Sequence, residues 1–213
     1  ICEHLLLTTT EKVAKASKKT RLANGETVIG CYRLLCRDVA ERAGGFYSQN
    51  EFDLTPFLNG AGRHLNIVEL GRSCVHPDFR SGKGISLMWK GLGAFAARHG
   101  IEAMIGCASF SGTDPQAFAQ PLSYLHHHHV GEQAWQVRAY SRHFVDMNMM
   151  DADAIDLKAA RRALPPLLRG YIRSGALVGI GAVIDHQFNT VDVFVLMPMQ
   201  QLSERYRQRY ASK

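Results

Sequence analysis

Apolar and polar positions alternate in short blocks along this chain, and the blocks divide it into strands and helices. His4 to Leu7 and Thr27 to Leu35 are apolar runs separated by a polar, Lys-rich connection containing Asn24-Gly25. That order predicts two strands of an antiparallel hairpin. Residues 37–48 are mixed and carry Gly44-Gly45, and Thr55 to Leu58 opens a short helix or turn. Ile67 to Val75 reads as a strand with polar residues planted in it: Glu69, Arg72 and Cys74. A turn at His76-Pro77-Asp78 and a basic, Gly-containing loop follow. The next helix runs from about Ile85 to Arg98, with Leu87, Met88, Leu92 and Phe95 at helical spacing, and stops at Gly100.

Ala103 to Phe110 predicts a second central strand, ended by a turn at Ser111-Gly112-Thr113-Asp114-Pro115. Pro121 to Leu125 leads a helix into four consecutive histidines, and Trp135 to Tyr140 reads as a further strand. Pro165-Pro166 introduces another helix, since proline suits a first helical turn. Leu177–Asp185 and Thr190–Leu196 close the pattern as two strands, followed by an Arg/Gln/Tyr-rich surface helix. Strands interleaved with helices, some joined as hairpins, predict an α/β class with a mixed central sheet. With 213 residues, 46% of them hydrophobic, one domain over 1–213 fits better than two.

Composition narrows the function. No apolar run reaches the roughly 18 residues of a membrane span. Five cysteines, an odd number without close metal-like pairs, suit reduced thiols in a cytoplasmic protein. The net charge of +6 favours an acidic partner, whether a membrane surface, a nucleic acid or a small acidic carrier protein. Lys12, Lys15, Lys18, Lys19 and Arg21 are either a solvated loop or a docking patch for such a carrier. Aromatic and basic residues are not interleaved as in an RNA-binding sheet, so nucleic acid is not expected. The chain begins Ile1-Cys2-Glu3-His4 without Met, as though it entered partway along a domain.

The chemistry concentrates after the strand 67–75. A strand feeding a loop of amides at a helix N-terminus can hold phosphate oxygens, because unpaired N–H groups and the helix dipole both favour an anion. Arg80 and Lys83 add positive charge there. Glu69 lies a few residues upstream, where it either accepts a proton from an attacking amine or pairs with Arg72. Arg33 and Arg72 are strand arginines suited to bidentate binding of a carboxylate or phosphate. Asp185, His186 and Asn189 form a polar knot between two apolar strands, which either satisfies its own turn or binds substrate, with Asp185 the candidate for an ammonium group. His126 to His129 point in different directions on a helix and have no second ligand cluster, so no metal site is expected. Cys74 and Cys107 lie in apolar strands and are expected to be buried core thiols, which favours direct acyl transfer over a cysteine nucleophile.

The strand, anion-binding bend and helix resemble the acyl-donor site of the GNAT superfamily of N-acyltransferases. On that resemblance Arg80, Ser81, Gly82, Lys83, Gly84, Ile85 and Ser86 would hold the pyrophosphate of CoA or the phosphopantetheine of an acyl carrier protein. The thioester would lie beside Val75, in a V-shaped split between two central strands. Five spaced blocks extend the likeness over nearly the whole chain: Cys31 to Leu35, Phe46 to Asp53, Glu69 to Val75, Gly106 to Pro115, and Pro165 to Tyr171. Together they resemble the bacterial ornithine-lipid family of N-acyltransferases, sometimes labelled hemolysin-like. Arg33 and the Glu69-x-x-Arg72 spacing are also similar to acyl-homoserine lactone synthases.

That resemblance implies a GNAT-type α/β fold and transfer of a 3-hydroxy fatty acyl group from acyl carrier protein to the α-amine of ornithine. It implies Glu69 as the catalytic residue, Arg33 and Arg72 as residues that bind the amine substrate, and no permanently bound cofactor; Ser109 and Asp185 complete the expected substrate-binding set. The expected location is cytoplasmic, either free or peripheral at the inner membrane. Two alternatives stay open. One is an N-acyl amino acid synthase for glycine, lysine, glutamine or tyrosine, and the other is a non-catalytic protein that binds acyl chains or perturbs membranes.

Overall fold

In a computed structural model, described here for residues 2–13, 20–80 and 83–202, eight strands form one mixed sheet. They are β1 (Glu3–Thr9), β2 (Thr27–Cys36), β3 (Phe52–Asp53), β4 (Ile67–Val75), β5 (Ala103–Ser111), β6 (Arg138–Ala139), β7 (Leu177–Asp185) and β8 (Thr190–Pro198). Their spatial order is β1-β2-β4-β5-β8-β7-β6-β3. Strands β1 and β2 form the expected antiparallel pair, as do β7 and β8, whereas β4 and β5 run parallel. The α-helices are α1 (Arg37–Arg42), α2 (Thr55–Asn59), α3 (Lys83–His99), α4 (Ala119–His129), α5 (Leu157–Ala163) and α6 (Pro166–Arg173).

Alternation along the central strands sends side chains into two separate cores. Val191, Val193, Val195 and Met197 of β8 join Val68 and Leu70 of β4 against the helix side, where Met88, Trp89, Leu92 and Ala96 of α3 supply an i, i+4 stripe. Phe194 and Leu196 of β8 point the other way and meet Ile67, Ile105, Phe52, Leu54 and Phe57. The second core is therefore roofed by the segment between β2 and β4. Glu69, Cys107 and Asp192 occupy the same alternate positions as this second set, so polar groups are aimed beneath that roof.

The pairing between β4 and β5 covers only Ile67 to Glu69 against Ala103 to Ile105. Beyond it the strands part, and Gly106 sits at the fork. A Cβ there would collide with the Leu70 carbonyl oxygen, so glycine is required for the close approach. The expected V-shaped split is thus built into the backbone one residue past Glu69.

Three expectations need adjustment. The strand expected over Trp135 to Tyr140 shrinks to Arg138–Ala139, behind a 3-10 turn at Gln133–Trp135. Its partner β7 shifts register between Val178 and Ala182, and the Ile180 amide reaches the Val137 carbonyl at 2.7 Å, so only one step of the ladder can form. Proline pairing separates two helices, with Pro166 in the first turn of α6 and α5 ending before it. The expected C-terminal surface helix, and Lys15, Lys18 and Lys19 of the basic connection, lie outside the described residues.

Candidate active site

Glu69 has no ion pair with Arg72. Its carboxylate instead accepts the Tyr47 amide at 2.8 Å, the Ser48 amide at 2.7 Å and the Ser48 hydroxyl. These donors belong to a 3-10 turn, Tyr47–Asn50, in the roof over the sheet. Glu69 is 2% exposed, and three hydrogen bonds to the charged form offset the cost of burying it. A carboxylate offers about four acceptor positions, which leaves little more than one for anything else.

A cavity of about 430 Å³ opens beside it, with Ser48, Glu69 and Cys107 among its lining residues. Part of its wall is cationic. Arg33 and Arg72 both lie over the Tyr47 ring, at 5.0 and 5.4 Å from its centroid, and Arg72 also stacks on Phe188 at 4.5 Å. Gly71 admits the Arg33 guanidinium, because a Cβ there would come within 2.9 Å of its terminal nitrogen. Arg33 Nε is buried without a hydrogen-bond partner, and neither arginine is in an ion pair among the described residues. Arg72 itself has φ 51°, a left-handed conformation costly for a side chain that size, which turns it out of the regular alternation of β4.

Another part of the wall is anionic. Glu51, Asp185 and Asp192 each place a carboxylate oxygen within 4.8 Å of the others. Burial pushes the Glu51 carboxyl up to about 7, and the charges of Asp192 and then Asp185 push the same way. Burial also raises Asp192, with the nearby Ser109 and Thr190 hydroxyls partly offsetting it. Asp185 Oδ1 accepts the Gln187 and Phe188 amides at 2.7 and 3.0 Å, so it satisfies its own turn and lines the cavity as well.

These geometries come with close sequence relatives. An acetyltransferase (GNAT) domain model matches residues 1–90. The L-ornithine N(alpha)-acyltransferase of Rhizobium meliloti (strain 1021) is 44% identical over 100% of this chain and 69% of its own length. The chain belongs to the L-ornithine N(alpha)-acyltransferase family. The enzyme of the same name from Brucella abortus (strain 2308) is 41% identical over 100% of this chain and 73% of that one. Among solved structures, FeeM, an N-acyl amino acid synthase from uncultured soil microbes, superposes with a TM-score of 0.41 at 10% identity, covering 89% of this chain and 74% of that one.

Within this acyltransferase family member the predicted residues separate into two groups. Arg33, Glu69, Arg72, Ser109 and Asp185 all line the single cavity just described. Val75, Arg80 and Lys83 to Ser86 do not line it, and Ser81 and Gly82 lie outside the described residues. Arg80 Nε donates to the Val75 carbonyl at 2.9 Å, and Gly84 packs under the Phe79 carbonyl where a Cβ would not fit.

Sequence reasoning missed Ser48, Glu51 and Asp192. Asp192 carried a usable signal, since a carboxylate in the middle of Thr190–Leu196 is as conspicuous as Arg33 in β2. Glu51 and Ser48 lie in a turn without periodicity, where the resemblance of the Phe46 to Asp53 block singled out the segment but neither residue. The thiols correct an expectation: Cys74 is exposed, and Cys107 is half-buried in the cavity wall. Burial drives Cys107 up, with Glu51 adding to it, and burial together with Cys74 raises Cys31 to about 11. The four histidines serve the helix packing: His127 Nε2 meets the Met150 carbonyl at 2.9 Å and His129 Nε2 the Tyr124 hydroxyl at 2.8 Å. Among the described residues, the one group of three metal-type ligands is acidic rather than histidine-based.

Proposed function

We propose that this chain moves a 3-hydroxy fatty acyl group from the phosphopantetheine thioester of acyl carrier protein to the α-amine of L-ornithine, giving lyso-ornithine lipid. The observation that carries this reading is one cavity lined both by two arginines that are in no ion pair among the described residues and by a fixed carboxylate at the fork of β4 and β5. The α-carboxylate of an amino acid is the natural counter-ion for Arg33 and Arg72. Held there, its α-nitrogen falls beside Glu69 and Ser48.

An amine with an ordinary pKa near 10 must lose a proton before it attacks. Glu69 accepts that proton, directly or through the Ser48 hydroxyl that it already binds. The nitrogen then adds to the thioester carbonyl, the C–N bond forms, the C–S bond breaks, and the thiol leaves with a proton. His76 donates its amide to Ile29 of β2 at 2.6 Å, and amides alternate along a strand, so the Val75 amide is turned toward the split. That supports Val75 as the donor that polarises the thioester carbonyl. The phosphate is assigned to the bend from Arg80 through Ser81, Gly82, Lys83, Gly84 and Ile85 to Ser86, at the start of α3. The net charge of +6 favours an acidic carrier protein as the donor's vehicle. Among the described residues no helix is long and apolar enough to cross a membrane. An amphiphilic product suits release at the inner-membrane surface.

The test is incubation of the purified chain with 3-hydroxyacyl carrier protein, or the matching acyl-CoA, and a panel of amino acids read by mass spectrometry. Lyso-ornithine lipid formed fastest from the carrier protein is the expected product. Preferential acylation of glycine, glutamine or tyrosine would replace the acceptor, and liposome leakage without acyl transfer would replace the reading altogether.

A further inference from the structure

The three carboxylates in the cavity wall are not needed to bind an α-amino acid or to transfer an acyl group, yet they are gathered at a cost. Like charges this close repel one another, and among the described residues none of the three is in an ion pair, in a chain that carries 25 Lys and Arg. Asp192 states the problem most sharply. It is 7% exposed, in the interior of β8, and although the Ser109 and Thr190 hydroxyls lie near its carboxylate, its Oδ1 is buried without a hydrogen-bond partner. A buried acceptor left open in a cavity wall marks the place of a missing donor.

The position of that place relative to Glu69 sets its size. The Cys107 thiol lies 3.6 Å from Ser48 Oγ and 3.7 Å from Glu51 Oε2, and Ser48 Oγ in turn binds Glu69. One sulfur atom therefore spans the gap between the group that would receive the α-amine proton and the nearest of the three carboxylates. A short aliphatic chain crossing that thiol reaches from one to the other. Arg33 and Arg72 line the same cavity and disfavour a second cation beside them, whereas the three carboxylates favour one.

We propose that Glu51, Asp185 and Asp192 form a subsite for the side-chain ammonium of the acceptor, and that this subsite restricts the enzyme to amino acids bearing a second amine at ornithine-like distance. This rests on the acyltransferase reading above and adds the origin of its selectivity. An ammonium brings three donors, enough to fill the open Asp192 oxygen and one oxygen on each partner. It also keeps the distal amine protonated and hence unreactive, leaving the α-nitrogen as the nucleophile.

The experiment compares ornithine with norvaline, the same carbon chain without the distal amine, on the whole chain and on Asp192→Asn and Glu51→Gln. Both calorimetric binding and kcat/KM are read, after exhaustive chelation and again with added Mg²⁺ or Ca²⁺. Wild type should prefer ornithine by about 100-fold or more, because norvaline leaves buried carboxylates unpaired. Either variant should lose most of that preference, through KM for ornithine. Equal use of ornithine and norvaline by wild type overturns the subsite while leaving acyl transfer intact. Preference that survives in both variants, or that vanishes on chelation and returns with the metal, overturns it too. If ornithine is bound selectively but no amine is acylated, the subsite stands and the proposed reaction fails.

Discussion

Glu69 is held by donors from a turn 21 and 22 residues away in sequence, and that attachment determines what a substitution there does. Glu69→Gln replaces one oxygen with an NH₂ group that must face an amide N–H. The variant should lose about 1–3 kcal/mol of stability and about 10²–10⁴-fold in kcat, read by urea unfolding and single-turnover rates. Ser48→Ala keeps both backbone donors, so it should melt close to wild type while still slowing turnover. Equal losses of stability and rate in the two variants would make Glu69 a structural anchor. Glu51 gives a pH signature of its own. Its ordinary value of 4.5 rises to about 7 on folding, so between those values the folded chain holds a proton that the unfolded chain has released. Stability should therefore fall as pH rises from about 4.5 to 7, and Glu51→Gln should flatten that slope in a melting-temperature series. Ornithine binding should change in the opposite sense, tightening through pH 7 as the carboxylate ionises.

At the scale of elements, much was legible because burial on both faces of β4, β5 and β8 writes itself as apolar runs, and polar exceptions in those runs point to the site. Arg33, Glu69 and Arg72 were found this way. Asp192 was equally visible in β8 by the same reasoning. The roof was not legible: residues 37–65 form short turns and helices without a period, and their contribution comes from contacts with strands far along the chain. Glu51 and Ser48 belong to that roof. The same distinction separates the strand expected at Trp135 to Tyr140 from the two-residue β6, since a register shift in β7 depends on its packing partners. The fork between β4 and β5 makes an element-scale prediction. Gly106→Ala drives a methyl group into the Leu70 carbonyl and should cost about 1–3 kcal/mol in denaturant unfolding, because backbone rather than a flexible side chain must yield. Gly71→Ala meets only the end of Arg33, so it should fold normally and raise KM for the acceptor.

Over the whole molecule, the mixed sheet divides its labour between two faces. The helix side is an almost wholly apolar core, and at the fork a cavity carries arginines and carboxylates in its wall around the fixed Glu69, with Leu70, Ala108 and Leu168 of the apolar core completing the lining. A zwitterion with a second cation pairs its charges there in one way, carboxylate with Arg33 and Arg72 and distal amine with Asp192. Orientation is therefore the property that joins fold, site and reaction. Fragmentation mass spectrometry of the product made from ornithine and 3-hydroxyacyl carrier protein locates the acyl group on one of the two nitrogens. Acylation at the α-nitrogen is the predicted result, and acylation at the δ-nitrogen, or no amide at all, would contradict it.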